Sequence, residues 1–168
     1  NNRMNDILWN EDIGMYCNKY WDEYSRKPKV ELFENIPAKM FKSPIKQSYQ
    51  DTIGNEVVNY RNKVGLSEQQ LEETGLKFRK FDKYFREENP VKWQFTITPE
   101  ETGAWFFYVP EEMGVLIKFE SNVILDNRFF WVTEYISDPV YMEKGNTYQM
   151  ELDYTGDIPF ELQWSKEQ

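Results

Sequence analysis

The chain has 168 residues, 20 basic against 29 acidic, a formal charge of −9, 17% aromatic side chains, one cysteine and no histidine. That length suits one domain with one core, and the negative balance works against nucleic-acid backbones and anionic lipid surfaces. The lone Cys17 and the missing imidazoles exclude an internal disulfide, a cysteine-based zinc cluster, histidine triads and most catalytic zinc sites.

No apolar run approaches the roughly 20 residues of a membrane-spanning helix, and no charged-then-apolar signal segment opens the sequence. The first residue is Asn1, so a trimmed or processed piece is expected.

Residues 1–13 read as an extended lead-in held by Ile7, Leu8 and Trp9. The run "GMYCNKYWDEY" then alternates Tyr16, Asn18 and Tyr20 against Cys17, Lys19 and Trp21, which predicts a first strand. Pro28, Pro37 and Pro44 confine the next stretch to short edge strands and loops. Residues 46–65 are polar, carry Gly54 and Gly65, and show neither period.

Ser67 and Gln70 form a capping box ahead of Leu71, so a helix starts there. Phe78, Phe81 and Phe85 recur at i, i+3 and i+7, which predicts a second helical segment broken from the first at Gly75. Its basic residues Lys77, Arg79, Lys80, Lys83 and Arg86 suit an acidic partner or the wet face of a helix docked on a sheet. Asp82, Glu87 and Glu88 dilute the charge and favour the second reading.

After Pro90 the runs "VKWQFTI", "GAWFFYV", "VLIKF", "NVIL", "RFFWVTEYI", "TYQMELDY" and "PFELQW" are short, apolar on alternate positions and separated by turn residues. They predict an antiparallel β-sandwich or barrel. Trp93, Phe95 and Ile97 alternate with Lys92, Gln94 and Thr96; Tyr148, Met150, Leu152 and Tyr154 alternate with Gln149, Glu151 and Asp153. One face of each strand is therefore wet and the other joins the core.

These strands also carry a resemblance. A tryptophan strand (Trp93), a Gly-x-aromatic-x-Phe strand (Gly103, Trp105, Phe107), an apolar strand running into "NVI" (Ile117, Phe119), a glycine ahead of a Tyr-led strand (Gly145, Tyr148, Tyr154) and a Leu-x-Trp end (Leu162, Trp164) follow one another over residues 90–164. In order and spacing they resemble the protective-antigen N-terminal β-sandwich domain, the anthrax-toxin type, which also occurs in binary-toxin binding components, yeast adhesins and bacterial glycosidases. The resemblance implies a mainly β, antiparallel sandwich over residues 1–168, with a helical segment inserted around 67–88 and a diverged or inserted region at 25–88.

For function, the resemblance implies a non-catalytic module of a secreted bacterial toxin or surface protein. Such a module acts as an activation segment, with the other domains of its parent or a cell-surface receptor as partner. The alternative it implies is a carbohydrate-binding module, calcium-dependent or built on an aromatic platform, attached to an adhesin or glycosidase. In sugar-binding members, consecutive aspartates and a glycine in one turn hold a calcium ion that holds sugar hydroxyls. With Gly114 as that glycine, the aspartate positions fall on Glu112 and Met113, and Glu111 enters only if the register shifts by one. Calcium takes six to eight oxygen ligands and a thioether is a poor donor to it, so the residues disfavour the ion. The second acidic position corresponds to Glu120, followed by Ser121.

Residues 127–137 offer a further candidate. Phe129, Trp131 and Tyr135 on one face, with Glu134 and Asp138 nearby, form either an inner strand covered on both sides or an exposed platform for a sugar or a protein. The doublets Glu72–Glu73, Glu87–Glu88, Glu100–Glu101 and Glu111–Glu112 do not supply glycoside hydrolysis. That reaction needs two carboxyls apposed across a cleft, and neighbours on a strand point to opposite faces. The expected site residues are thus Trp131, Tyr135, Glu112 and Glu120, with Glu111 and Glu112 as the metal position.

Overall fold

A computed structural model describes residues 32–51, 53–76, 90–109, 114–129 and 135–167. The expected first strand, the helix bearing Phe78, Phe81 and Phe85, and the site positions Glu111, Glu112, Met113 and Trp131 lie outside the described residues.

The alternation of apolar and polar side chains after Pro90 produces the strands it predicts. β5 (Val91–Ile97) buries Val91, Trp93, Phe95 and Ile97 and turns Lys92, Gln94 and Thr96 outward. β10 (Tyr148–Tyr154) pairs antiparallel with it along its whole length, setting Leu152 opposite Trp93 and Met150 opposite Phe95. On its other edge β10 pairs with β7 (Val115–Phe119), which hairpins into β8 (Asn122–Asp126). β2 (Ile45–Gln50) and β3 (Glu56–Arg61) complete a six-stranded sheet in the order β3-β2-β5-β10-β7-β8.

The second sheet has four strands in the order β1-β12-β6-β9: β1 (Glu34–Asn35), β12 (Gln163–Lys166), β6 (Gly103–Tyr108) and β9 (Val140–Met142). Its inward rings Trp105, Phe107 and Trp164 share one core with Trp93, Ile117 and Leu152 of the larger sheet. Trp105 and Trp164 lie 4.2 Å apart at their ring centres. Burying each of these large side chains contributes about 1.5–3 kcal/mol, so the facing aromatic surfaces hold the two layers together. The architecture is a mainly β, antiparallel sandwich, as the strand pattern predicts.

Three features differ from the sequence reading. The polar stretch 46–65 holds β3 and nearly all of β2, joined by a turn in which the Asp51 carboxylate accepts from the amides of Ile53 and Asn55 at 3.0 and 2.8 Å. The reason the period is hidden is that Gln47, Asn59 and Arg61 occupy inward positions that a core strand would fill with apolar groups. The prolines do not confine the whole of residues 27–46 to an edge, because β2, which starts at Ile45 just after Pro44, is an interior strand. The run "PFELQW" is two strands: β11 (Phe160–Glu161) pairs with β4 (Gly65–Leu66), and the chain then crosses at Leu162 to β12 in the other sheet.

The helix α1 (Glu68–Thr74) starts where the capping box places it. The Gln70 amide donates to Ser67 Oγ at 3.3 Å and the Ser67 amide to Gln70 Oε1 at 3.1 Å. It ends at Gly75, which takes the left-handed conformation that a helix terminus needs.

Candidate functional site

Because β2, β5, β10 and β7 are in fixed antiparallel register, their outward residues line up in rows across the sheet. One row runs Lys46, Gln94, Glu151, Lys118; the next places Lys92 beside Asp153 and, beyond it, Leu116; a third places Thr96 beside Gln149. Two of these neighbours are tied together: Lys92 Nζ donates to Asp153 Oδ1 at 3.1 Å, and Gln94 Nε2 to Glu151 Oε2 at 3.5 Å. Ser43, just before β2, places its hydroxyl 2.8 Å from that of Thr96.

Between these rows lies a groove of about 300 Å³ lined by Ser43, Gln94, Thr96, Lys118, Gln149 and Glu151, with Ser121 at one end. The lining combines hydroxyls, amides, one ammonium and one carboxylate on a rigid strand platform. Among the described residues, the side chains of Lys118, Ser121 and Gln149 have no partner and are free to meet a ligand.

The end of the groove is built by the β7–β8 turn. Glu120 and Ser121 both have positive φ, 47° and 73°, as a two-residue hairpin of this hand requires. Asn-Gly would suit that geometry, and side chains other than Asn, Asp or Gly hold it at a cost of order 1–3 kcal/mol per residue. The turn is braced to the start of β10, since the Glu120 amide donates to Gln149 O at 2.8 Å and the Gln149 amide donates to Glu120 Oε2 at 2.9 Å.

Glu120 is therefore beside the groove, with one carboxylate oxygen engaged by backbone. No group of three or more acidic, cysteine or histidine side chains gathers to hold a metal among the described residues. The other positions of the calcium site that the resemblance implies, Glu111 and Glu112, lie outside the described residues.

Tyr135 is half-buried on the other sheet's flank, away from Glu120. Its carbonyl accepts from the Val109 amide at 3.0 Å, and Ile136 bridges to Tyr108. Ser137 fixes this crossing: its hydroxyl accepts from the Phe107 amide at 2.9 Å and donates to Asp138 O at 2.8 Å, while the Asp138 amide donates to Ile124 O at 2.8 Å. Residues 135–138 thus stitch β6 to β8, and Tyr135 and Glu120 are not brought together.

The far side of β8 is held by a side-chain clamp. Arg128 Nε and Nη2 donate to the two oxygens of Asp126 at 2.8 and 3.0 Å. Burial pushes the Asp126 carboxyl up, but the side-chain and backbone hydrogen bonds from Arg128 and its charge together hold it below the ordinary value.

Sequence reading missed Ser43, Gln94, Thr96, Lys118 and Gln149 as site residues. Their signal was present only as the polar half of the strand alternation, and which of them meet depends on inter-strand register.

No protein-family model and no curated protein matches the chain. Among solved structures, it is similar to part of a β-glucosidase from Kluyveromyces marxianus, with a TM-score of 0.51 and 14% identity over 74% of this chain and 16% of that one. It is also similar to an anti-sigma factor domain-containing protein, with a TM-score of 0.53 and 16% identity over 78% of this chain and 44% of that one. The chain spans less than half the length of either, and at these identities the likeness shows the fold alone.

Proposed function

We propose that this domain is a non-catalytic binding module of a larger protein and that its sheet groove takes a polyhydroxylated ligand, a carbohydrate. The observation that carries this reading is the groove itself: a strand-backed concavity of about 300 Å³ with hydroxyl, amide and charged groups pointing into it. Sugars present alternating donors and acceptors, and Gln, Ser, Thr, Lys and Glu side chains supply both kinds. The strained Glu120–Ser121 turn supports the reading, because left-handed non-glycine residues persist where a site needs their geometry. The likeness to a segment of a β-glucosidase fits a module appended to a carbohydrate-active enzyme.

The test is a glycan array read with and without chelator, together with calorimetric titration of calcium into the protein. Glycan binding that survives chelator and falls in Gln94→Ala and Lys118→Ala supports the groove. An array that stays silent at high protein concentration rejects it in favour of the shielding role that the toxin resemblance implies. Chelator-sensitive binding unaffected by the two substitutions moves the site to the Glu111–Glu112 turn.

A further inference from the structure

A second cavity, of about 530 Å³, opens where β3 runs into β4, walled by α1 and floored by β11. That volume lies within the range of small-ligand pockets. Its floor is tightly built: Gly65 has φ +148°, and a Cβ there would meet Phe160 O at 2.3 Å, so the β4–β11 backbones approach as only glycine allows.

Arg61 stands on its wall. The Arg61 Nε donates to Gln47 Oε1 at 3.1 Å, and Asn59 Nδ2 reaches the same oxygen at 3.5 Å. The terminal nitrogens of the guanidinium have no partner among the described residues. Lys63 Nζ lies 3.1 Å from Glu161 Oε2, close enough for charge attraction though not aligned for a hydrogen bond. The local balance of Arg61, Lys63 and Glu161 is thus positive in a chain of net charge −9.

Gln47 is the unusual part. It is fully buried, directly opposite Trp93 across β2 and β5, and its Nε2 has no hydrogen-bond partner. Leaving a buried donor unsatisfied costs about 1–3 kcal/mol, and an apolar residue of the same shape would avoid it. What the glutamine supplies in return is an acceptor that clamps the Arg61 side chain at Nε and leaves its two terminal nitrogens uncommitted among the described residues. A fork held from behind in this way suits bidentate contact with a carboxylate. Asn62, Ser67 and Gln70 add amide and hydroxyl groups to the lining, whereas Tyr60, the neighbour of Arg61 on β3, points to the opposite face of the sheet. Hydroxyl and amide groups beside a guanidinium match a sugar ring bearing an acid group.

We propose that this cavity binds a carboxylate-bearing sugar, a uronic acid unit, with Arg61 contacting the carboxylate and Gln47 acting as a positioning residue. The site is separate from the sheet groove and does not depend on it. The experiment follows the backbone amide resonances of residues 61–67, and in the parent protein the Arg61 Nε–Hε resonance, by NMR while oligogalacturonate, the neutral cello-oligosaccharide of equal length, acetate or a poly-glutamate peptide is added.

The expected result is a saturable shift with oligogalacturonate and none with the neutral sugar. Affinity should fall about tenfold or more in Arg61→Gln and nearly as far in Arg61→Lys, which keeps the charge but loses the fork. Gln47→Leu should weaken binding while the folded spectrum is retained, and Tyr141→Ser, at an exposed position on β9 of the other sheet, should leave it unchanged. No shift at millimolar oligogalacturonate, unchanged affinity in Arg61→Lys, or tighter binding of the poly-glutamate peptide would each overturn the proposal.

Discussion

β5 and β2 are paired neighbours in the larger sheet, yet their inner faces differ. β5 presents Trp93, Phe95 and Ile97 to the core, whereas β2 presents Ile45, Gln47 and Tyr49, with Asn59 and Arg61 of β3 beside them. The first surface is sealed under the aromatic layer of the other sheet. The second forms a polar corner that opens at its edge into the Arg61 cavity. Stability is concentrated in one part of the sheet, and the other part spends some of it on a buried amide and an oriented cation.

The largest effect should come from the sealed part. Leu152 is fully buried between Trp93 and Ile117, so Leu152→Ala should cost about 2–5 kcal/mol in denaturant unfolding, through lost transfer energy and the cavity left behind. A loss below 1 kcal/mol would mean that the two sheets are not packed as described.

Gly65→Ala tests the floor of the polar corner. Its Cβ would meet the Phe160 carbonyl at a left-handed backbone position, and separating β4 from β11 should lower stability by about 1–3 kcal/mol. Oligogalacturonate binding should weaken in parallel.

Gln47→Leu sharpens the contrast. It removes an unsatisfied donor together with the clamp on Arg61, and the two changes oppose one another. Melting should therefore stay within about 1 kcal/mol of the parent protein. A loss as large as that of Leu152→Ala would make the corner part of the load-carrying core.

The smallest effect is at the rim, where Arg128 clamps Asp126. The Asp126 carboxyl is held below its ordinary value in the folded protein, so it contributes stability above the unfolded carboxylate range. That contribution is lost as pH falls through the folded value. Arg128→Ala should cost about 0.5–1 kcal/mol near neutrality, and the gap between the two unfolding curves should close as the carboxyl protonates in acid. A gap independent of pH would show that Arg128 acts through packing alone.

Legibility follows the same division. Where the two faces of a strand differ in polarity, as in β5 and β10, alternation in the sequence reports the strand, its inner face and its outer face. The Ser67–Gln70 box reports the start of α1, because capping is satisfied by groups three residues apart. β2 and β3 were not legible, since Gln47, Asn59 and Arg61 place polar groups on the inward side and erase the alternation. β9, only three residues long, carries too little pattern to be seen. Of the expected site residues, Glu120 lies at the groove through its turn, and Tyr135 serves the crossing between sheets.

The amino-acid order alone determined that this chain forms antiparallel strands with one aromatic side and one polar side, because that follows from the two-residue repeat of a strand and the water-aversion of rings. Which polar groups stand together was decided only by tertiary structure. Ser43 meets Thr96, Gln94 meets Glu151, and Arg61 meets Gln47 through strand register and sheet order, which bring together residues as many as 57 positions apart. Local sequence carries no record of such pairings, because the free energy that selects the register comes mainly from apolar packing between strands and sheets that are distant in the chain.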